Sequence, residues 1–334
     1  THKEEFYVVE IDGERPHEAE FLASWLKPEV TLWISLGLSH AVQFEQQVKD
    51  GLFENLDKAI THEFATLPEH TQKLVIIDND VELMVRALDS IKQKGLTKAK
   101  VIKCSKKDLV KYQVMPNRTK FEIQSDESGQ TRRYQFNRPL SKDLTIQLVM
   151  LEKLAKYLKI KIDSDLSDFR LAPGRNSYFE GKNGVQIIDS SYNAHLISVK
   201  SILEMFKAMK VEHKWLVIGD IVDQGSIEGQ EHAKLAAEII KVKPEKVILI
   251  GRRTKKYTVP LLKEAGIAPY VTNDPKEALA YLEKHLSGSE TILFKGSQYL
   301  EWIIEKILRN PDDAKKLPRR EKAAIKRRQK RGLN

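Results

Sequence analysis

The sequence holds a single cysteine, Cys104, which excludes an intrachain disulfide framework and fits a reducing compartment such as the cytoplasm. Cys104 ends an apolar, strand-like run and reads as packing rather than as a nucleophile. No apolar run approaches the ~18 residues that a membrane-crossing helix needs, and no charged-then-apolar leader opens the chain, so no membrane insertion is expected. A Gly-x-x-x-x-Gly-Lys-Ser/Thr run, whose amides and lysine would cradle phosphates, is also missing. The nearest approach, Gly174 to Gly181-Lys182-Asn183, has six intervening residues and no Ser or Thr. It reads instead as part of a strand-turn-strand leading into Val185.

What is present is a chain of 334 residues with 41% hydrophobic residues, enough for two ordinary globular domains rather than a disordered segment. The net charge of +9 would suggest a nucleic-acid partner, but its location argues otherwise. From Pro311 to Asn334 there are ten Lys and Arg against three Asp and Glu, a balance of +7 that leaves only +2 for the rest. That tail is expected to be a solvated, frayed or weakly helical end, able at most to touch RNA or anionic lipid nonspecifically. No specific nucleic-acid partner is expected. The chain opens on Thr1 and enters a strand pattern, Phe6 to Ile11, almost at once, which reads as a piece of something longer.

Apolar runs bounded by turn residues alternate with helical patterns, which predicts crossover units and a parallel sheet. In the first half the strands expected are Phe6 to Ile11, Val30 to Leu36, Lys73 to Ile77 and Lys100 to Lys103. Helices are expected around Glu18 to Leu26, Val42 to Thr66 and Val81 to Lys94. Lys120 to Gln124 and Arg132 to Asn137 flank the turn Asp126-Glu127-Ser128-Gly129 and read as a hairpin. A helix from Lys142 to Leu158 follows. Asp, Ser, Pro and Gly cluster at Lys161 to Gly174 and mark a boundary. Beyond it the strands expected are Val185 to Ile188, Trp215 to Ile218, Lys246 to Ile250, Pro269 to Thr272 and Thr291 to Phe294. The helices between them are expected near Val199 to Met209, Glu231 to Val242, Thr258 to Ala265, Pro275 to Leu286 and Tyr299 to Leu308. The organisation is therefore α/β with two doubly wound sheets, over residues 1–165 and 166–309, and a basic tail over 310–334.

Open parallel sheets bind ligands beyond the carboxyl ends of their strands, so the residues just after each apolar run are the informative ones. In the second domain these are Asp189-Ser190-Ser191-Tyr192-Asn193-Ala194-His195, Gly219-Asp220 to Gly225, Gly251-Arg252-Arg253 and Lys295-Gly296-Ser297-Gln298. Glycine permits close backbone approach, Lys and Arg neutralise charge, and Asp or Asn binds ribose or metal; together they suit a ligand with phosphates. One such loop is as readily a helix cap or tight turn. Four in register predict a binding edge.

Leu171-Ala172-Pro173-Gly174-Arg175, Ile187-Ile188-Asp189-Ser190-Ser191-Tyr192-Asn193-Ala194, Ile218-Gly219-Asp220 with Gly225 and His232, and Phe294-Lys295-Gly296-Ser297 together resemble the C-terminal domain of the Mur ligases. The Ser-Tyr-Asn-Ala core resembles the branch that joins D-alanyl-D-alanine to a UDP-N-acetylmuramoyl-tripeptide. The first half is similar to the family's central P-loop-type domain, without its phosphate loop. Val8-Val9-Glu10-Ile11 with Arg15-Pro16-His17-Glu18 resembles the strand and turn presenting a magnesium-binding glutamate. Lys27 to His40 resembles the following strand and its terminal histidine. A strand-end carboxylate is a hard ligand suited to Mg2+, whereas a lone strand-end histidine by itself is more often polar surface.

The resemblance implies an ATP-dependent amide ligase of peptidoglycan precursor synthesis, with ATP and Mg2+ as cofactors. ATP phosphorylates a carboxylate of the nucleotide-linked peptide, and an incoming amine then displaces phosphate from the acyl phosphate. Carried over, Glu10 and His40 would serve magnesium, and Arg175 would meet phosphate. Asp189, Tyr192 and Asn193 would line the adenosine side, with the Gln147 amide facing adenine. Lys295 and Ser297 would lie toward the acceptor, Lys295 also acting with Arg175 on the reacting phosphoryl group. The partners implied are a UDP-MurNAc-peptide and an amino acid or dipeptide, met by a cytoplasmic monomer serving wall biogenesis, cell shape and division. In the family the phosphate loop lies upstream of the position matching Thr1, so the chain is expected to be N-terminally truncated and not to turn over ATP by itself.

Some positions depart from the family pattern. Thr61 stands where a lysine two residues before a glutamate, here Glu63, is usual. Ser141 to Gln147 replaces Gly-x-His-Asn-x-x-Asn, His195-Leu196 replaces Asn-Pro, and Gln298 replaces an arginine. Three alternatives stay open: another Mur or folylpolyglutamate-type ligase, a degenerate ligase fold that only binds nucleotide or a partner, and an RNA-associated protein acting through its tail.

Overall fold

The computed structural model describes residues 5–13, 15–36, 41–125, 129–192, 194–222 and 227–334. The chain divides into two compact units that interleave along the sequence. One comprises Thr1–Val110, Ile123–Thr131 and Thr145–Ile162; the other comprises Lys111–Glu122, Arg132–Leu144 and Asp163–Asn334.

The first unit begins with α1 (Glu18–Leu26), β1 (Val30–Trp33), α2 (Glu45–Lys49) and α3 (Leu56–His70). It continues with β2 (Leu74–Asp78), α4 (Glu82–Gln93) and β3 (Lys100–Cys104). The three strands form a parallel sheet in the order β1-β2-β3. Every residue of the central strand β2 is buried, as a strand covered on both faces requires. Met84, Leu88 and Ile91 recur at helical spacing along α4 and pack with Val75, Ile77 and Trp33. Each such side chain contributes roughly 1.5–3 kcal/mol of burial.

Two expectations for this unit fail. Phe6 to Ile11 is not a strand: Phe6, Tyr7 and Val8 are exposed, and no strand pairs with the segment among the described residues. Its apolar pattern matches a strand, but a strand exists only where another supplies ladder partners. The single helix expected over Val42 to Thr66 is instead a short 3-10 turn, α2 and α3, separated at Asp50-Gly51. Gly51 takes a φ of +75°, which ends α2, and the Asn55 side chain accepts from the Lys58 amide to start α3 afresh.

The hairpin region gains a strand. β4 (Leu109–Met115), β5 (Arg118–Gln124) and β6 (Thr131–Phe136) form a second three-stranded sheet with β5 in the middle, and α5 (Leu144–Leu158) follows. Three residues of the expected turn, Asp126, Glu127 and Ser128, lie outside the described residues.

The second unit carries the large sheet. Its elements are β7 (Ser177–Glu180), β8 (Gln186–Ser190), α6 (Leu196–Ala208), β9 (His213–Gly219), α7 (Glu228–Val242) and β10 (Lys246–Ile250). Then come α8 (Val259–Glu264), β11 (Tyr270–Thr272), α9 (Pro275–His285), β12 (Glu290–Lys295), α10 (Leu300–Ile307) and α11 (Lys322–Gln329). The strand order is β11-β10-β9-β12-β8-β7, parallel except for β7. Leu216 and Ile218 of β9 pack toward α6 and α7, while Trp215 and Val217 pack toward α9 and α10. Helices therefore cover both faces, the doubly wound arrangement expected. The chain passes from β8 over β12 to β9 and returns to insert β12 between them, which sets three carboxyl ends side by side.

The tail is not frayed. Leu317 and Leu333 are buried with Trp302, Ile303 and Ile307 of α10, and residues Lys322–Gln329 form α11. The Trp302 indole N–H donates to the Asn334 carbonyl at 3.0 Å, and Arg320 and Arg328 both bind Glu305. Two leucines inside a strongly charged stretch provided the apolar footing that a solvated tail would lack. Among the described residues no helix is long and apolar enough to cross a membrane.

Candidate functional site

The β8, β9 and β12 carboxyl ends form the edge that matters. Register pairs Phe294 with Asp189 and Lys295 with both Ser190 and Ile218, so Lys295 lies laterally between β8 and β9. Asp189 and Lys295 are both buried, with relative exposures of 0% and 3%. Asp189 accepts from the Ser191 amide through Oδ1 at 3.0 Å, while its Oδ2 and the Ser191 hydroxyl are buried without a hydrogen-bond partner among the described residues. Burial pushes the Asp189 carboxyl up to about 6, opposed by Ser191 and by the charge of Arg319. Burial likewise pulls the Lys295 ammonium down to about 8, against the attraction of Asp189 and with the repulsion of Arg175. A buried acid and a buried base, each driven toward neutrality and facing one another's charge, are costly to fold unless a ligand uses them.

Two loops close over β8. Tyr192 donates its amide to the Gly174 carbonyl at 3.1 Å, and the Arg175 guanidinium carbon lies 5.3 Å from the Tyr192 ring centre. Arg175 and Tyr192 both remain exposed. Gly174 sits at φ +73°, and a Cβ there would meet Tyr192 and Pro318 at 3.1 Å or less, so only glycine fits this approach. Directly after the loop, α6 starts at His195, whose side chain makes no capping hydrogen bond, and the positive end of the helix dipole lies at this edge.

The β9 end is built for shape. A Cβ on Gly219 would lie 1.9 Å from the Ser297 carbonyl, so β9 and the loop after β12 touch backbone to backbone. Ser297 donates its hydroxyl to the Asp220 carbonyl at 2.9 Å, and buried Asp220 takes the Thr254 amide at 2.9 Å and lies 3.8 Å from Arg253. His232 is fully buried; its Nε2 accepts from the Ile221 amide and its Nδ1–H donates to the Glu228 carbonyl. Asp220 and His232 thus hold the loop rather than face a ligand.

The structure brings together Arg175, Asp189, Tyr192, Lys295 and Ser297. Gln147 lies half-buried on α5, in the other unit. Glu10 is exposed on the extended segment that forms no strand. His40 and Asn193 lie outside the described residues, as does part of the Asp220 to Gly225 loop. Among the described residues no three His, Cys, Asp or Glu converge as a metal centre would need. Glu63 is committed elsewhere: its two oxygens accept the amides of His17 and Ala19 at 2.7 Å each, capping α1. Thr61, one face away, buries a hydroxyl with no partner. A cavity of about 550 Å³ beside Tyr178, Glu180 and Arg309 shares no lining residue with the strand-end edge.

Sequence reasoning missed Arg319. It donates to the Tyr192 carbonyl at 2.9 Å and the Ser191 carbonyl at 3.3 Å. Nothing local marks it among the ten cations of the tail, although Leu317-Pro318 beside it is an apolar signal for docking.

Residues 174–298 match the family described as "Mur ligase, glutamate ligase domain". The UDP-N-acetylmuramoyl-tripeptide--D-alanyl-D-alanine ligase of Rickettsia prowazekii is 29% identical over 161 residues, 48% of this chain and 35% of that protein. The enzyme of the same name from Bacillus subtilis is 26% identical over 151 residues, 44% of this chain and 33% of that protein. The match thus spans about a third of the length of either curated relative. The crystal structure of MurF from Thermotoga maritima in complex with ADP superposes with a TM-score of 0.66 at 17% identity, covering 85% of this chain and 62% of that one, a likeness of fold. The family match lies over all four strand-end loops, so residues 174–298 are similar to a Mur ligase domain, and the chain shares the fold of MurF.

Proposed function

We propose that the protein is an ATP-dependent acid–amino-acid ligase of peptidoglycan precursor synthesis, joining D-alanyl-D-alanine to a UDP-MurNAc-peptide through an acyl phosphate. One observation carries the reading: the buried Asp189 and Lys295 on neighbouring strand ends, with Arg175 exposed beside them. The terminal phosphoryl group of ATP passes to the peptide carboxylate and ADP leaves. The amine then attacks the carbonyl carbon, loses a proton, and phosphate departs as the amide forms.

Arg175 and Lys295 supply positive charge where the phosphoryl group transfers, which is where this chemistry needs it. The open Asp189 Oδ2, the Ser191 hydroxyl and Tyr192 offer polar partners for a nucleoside, with Asn193 next to them in the sequence. The N-terminal end of α6 favours an anion. Ser297, its proton already given to Asp220, presents only lone pairs and suits the ammonium of the acceptor. Glu10 and His40 would hold Mg2+, which supplies charge neutralisation on the phosphates when bound. On this reading the protein is a cytoplasmic monomer serving wall biogenesis, cell shape and division.

The deciding experiment, on a protein that carries the upstream phosphate loop as well as this chain, is phosphate release from ATP with UDP-muramyl-tripeptide and D-alanyl-D-alanine added singly and together. Release that requires both supports the ligase, and release indifferent to either sinks it. A second reading, a nucleotide-binding ligase fold without turnover, is favoured by Thr61, whose unpartnered hydroxyl stands where the family carries lysine. It predicts ATP binding with no substrate-dependent release.

A further inference from the structure

The cations of the tail play unequal parts. Arg320 and Arg328 meet Glu305 at 2.6 and 2.8 Å, Leu317 and Leu333 are buried, and Trp302 holds the Asn334 carbonyl. These contacts fasten the segment to α10 at both ends. Between them Arg319 adopts φ +57° and turns toward the loop after β8. Its guanidinium donates to two consecutive carbonyls, Ser191 at 3.3 Å and Tyr192 at 2.9 Å, and lies 3.3 Å from the buried carboxylate of Glu301. Its central carbon is also 5.9 Å from the Tyr192 ring centre, so Arg319 and Arg175 share one ring. Pro318 completes the contact, since it and Tyr192 together leave no room for a Cβ on Gly174.

We propose that residues 317–334 are a strap over the strand-end site, and that Arg319 is a positioning residue that holds the Tyr192 loop, and through its ring Arg175, in the orientation that receives a nucleotide phosphate. The ligand class rests on the ligase reading above; the strap does not.

The chemistry favours arginine at this position. Carbonyls of a loop outside any ladder need donors, and a planar fork satisfies two of them while lying against an aromatic ring. A lysine offers a point charge without that fork. Arg319 also compensates Glu301, whose side chain is 3% exposed against 31% for Arg319. A purely structural role would consist of that charge pair alone, and Arg319→Lys would preserve it. The two guanidinium groups at one ring add positive potential at the edge where Lys295 lies.

The test uses the intact chain and three readouts: thermal midpoint, amide hydrogen exchange over residues 174–176 and 190–195, and titration with a fluorescent ATP analogue. Arg319→Lys is expected to raise exchange in both loops about tenfold and weaken the analogue about tenfold, the size of a lost charge-assisted hydrogen bond. Arg320→Ala, which loosens the segment without touching Tyr192, is expected to lower the midpoint and leave loop exchange and affinity within about twofold. Loop exchange in Arg319→Lys equal to wild type overturns the proposal, and so does raised exchange with unchanged affinity. Should the wild-type chain bind no analogue, the assignment of this edge as a nucleotide site in the chain alone fails, and the exchange comparison between the two variants still decides whether Arg319 holds the loop.

Discussion

In the first unit Glu63 gives both oxygens to the amides of His17 and Ala19, and Asp80 gives its own to the Ser105 hydroxyl and the Lys106 amide, each at 2.7 Å. In the second, Asp189 gives one oxygen to the Ser191 amide and buries the other without a partner, near an ammonium that burial also pushes toward neutrality. Both units contain a parallel run of strands packed with helices, and both place acids in loops and helix starts. The difference lies in saturation. An acid whose oxygens are filled by amides of its own unit fixes a cap or a turn, whereas one left partly open beside a buried cation is arranged for something the protein does not itself contain.

The sharpest way to break this contrast is at Lys295. If its charge serves the transferring phosphoryl group, Lys295→Met in a protein that also carries the upstream phosphate loop is expected to lower substrate-dependent phosphate release by about 10²–10³-fold, with the fold retained by circular dichroism. A loss under about tenfold would leave Lys295 as a mere packing lysine.

Next in size is Glu63→Ala, which strands the buried Ala19 amide and the part-buried His17 amide at the start of α1. It is expected to cost roughly 3 kcal/mol in urea unfolding while leaving nucleotide affinity unchanged, since it loses two charge-assisted hydrogen bonds. A loss below about 1 kcal/mol, or an altered affinity, would erase the distinction between the two acids.

The smallest effect is in pH. Asp189 titrates near 6 in the folded protein against 3.8 unfolded, so the native state holds its proton longer. Its contribution to stability is present near pH 4 and lost as pH rises through about 6. Unfolding of wild type compared with Asp189→Asn should show wild type losing up to about 3 kcal/mol relative to the variant across that window. Lys295, lowered from 10.5 to about 8, acts in a separate window: it destabilises the fold below about pH 8, and that penalty disappears as pH rises toward 10.5. A flat difference between pH 4 and 7 would mean that Asp189 is as well satisfied as Glu63.

The strands of the second unit were legible because both their faces are buried. Continuous apolar runs such as Lys246–Ile250 then need no knowledge of their neighbours. The same apolar signal misled at Phe6 to Ile11, where the missing ingredient was a partner strand rather than a better pattern. The helix over Val42 to Thr66 was overextended because the Asp50-Gly51 turn is a matter of one positive φ. In the site, Asp189, Lys295 and Tyr192 were legible from position alone, since ligands gather at strand carboxyl ends. Glu10, by contrast, was assigned to a strand that the structure does not form.

By itself, then, the sequence determined the doubly wound sheet of the second unit and the residues at its edge. Periodicity and turn chemistry act over a few neighbours, and every chain segment carries them. Tertiary structure alone decided that Glu63 caps α1 across 44 residues and that Arg319 reaches Tyr192 across 127. It alone decided, too, that Asp189 is buried with one oxygen unfilled. Burial and saturation belong to what surrounds a group, and those surroundings come from segments far apart in the chain.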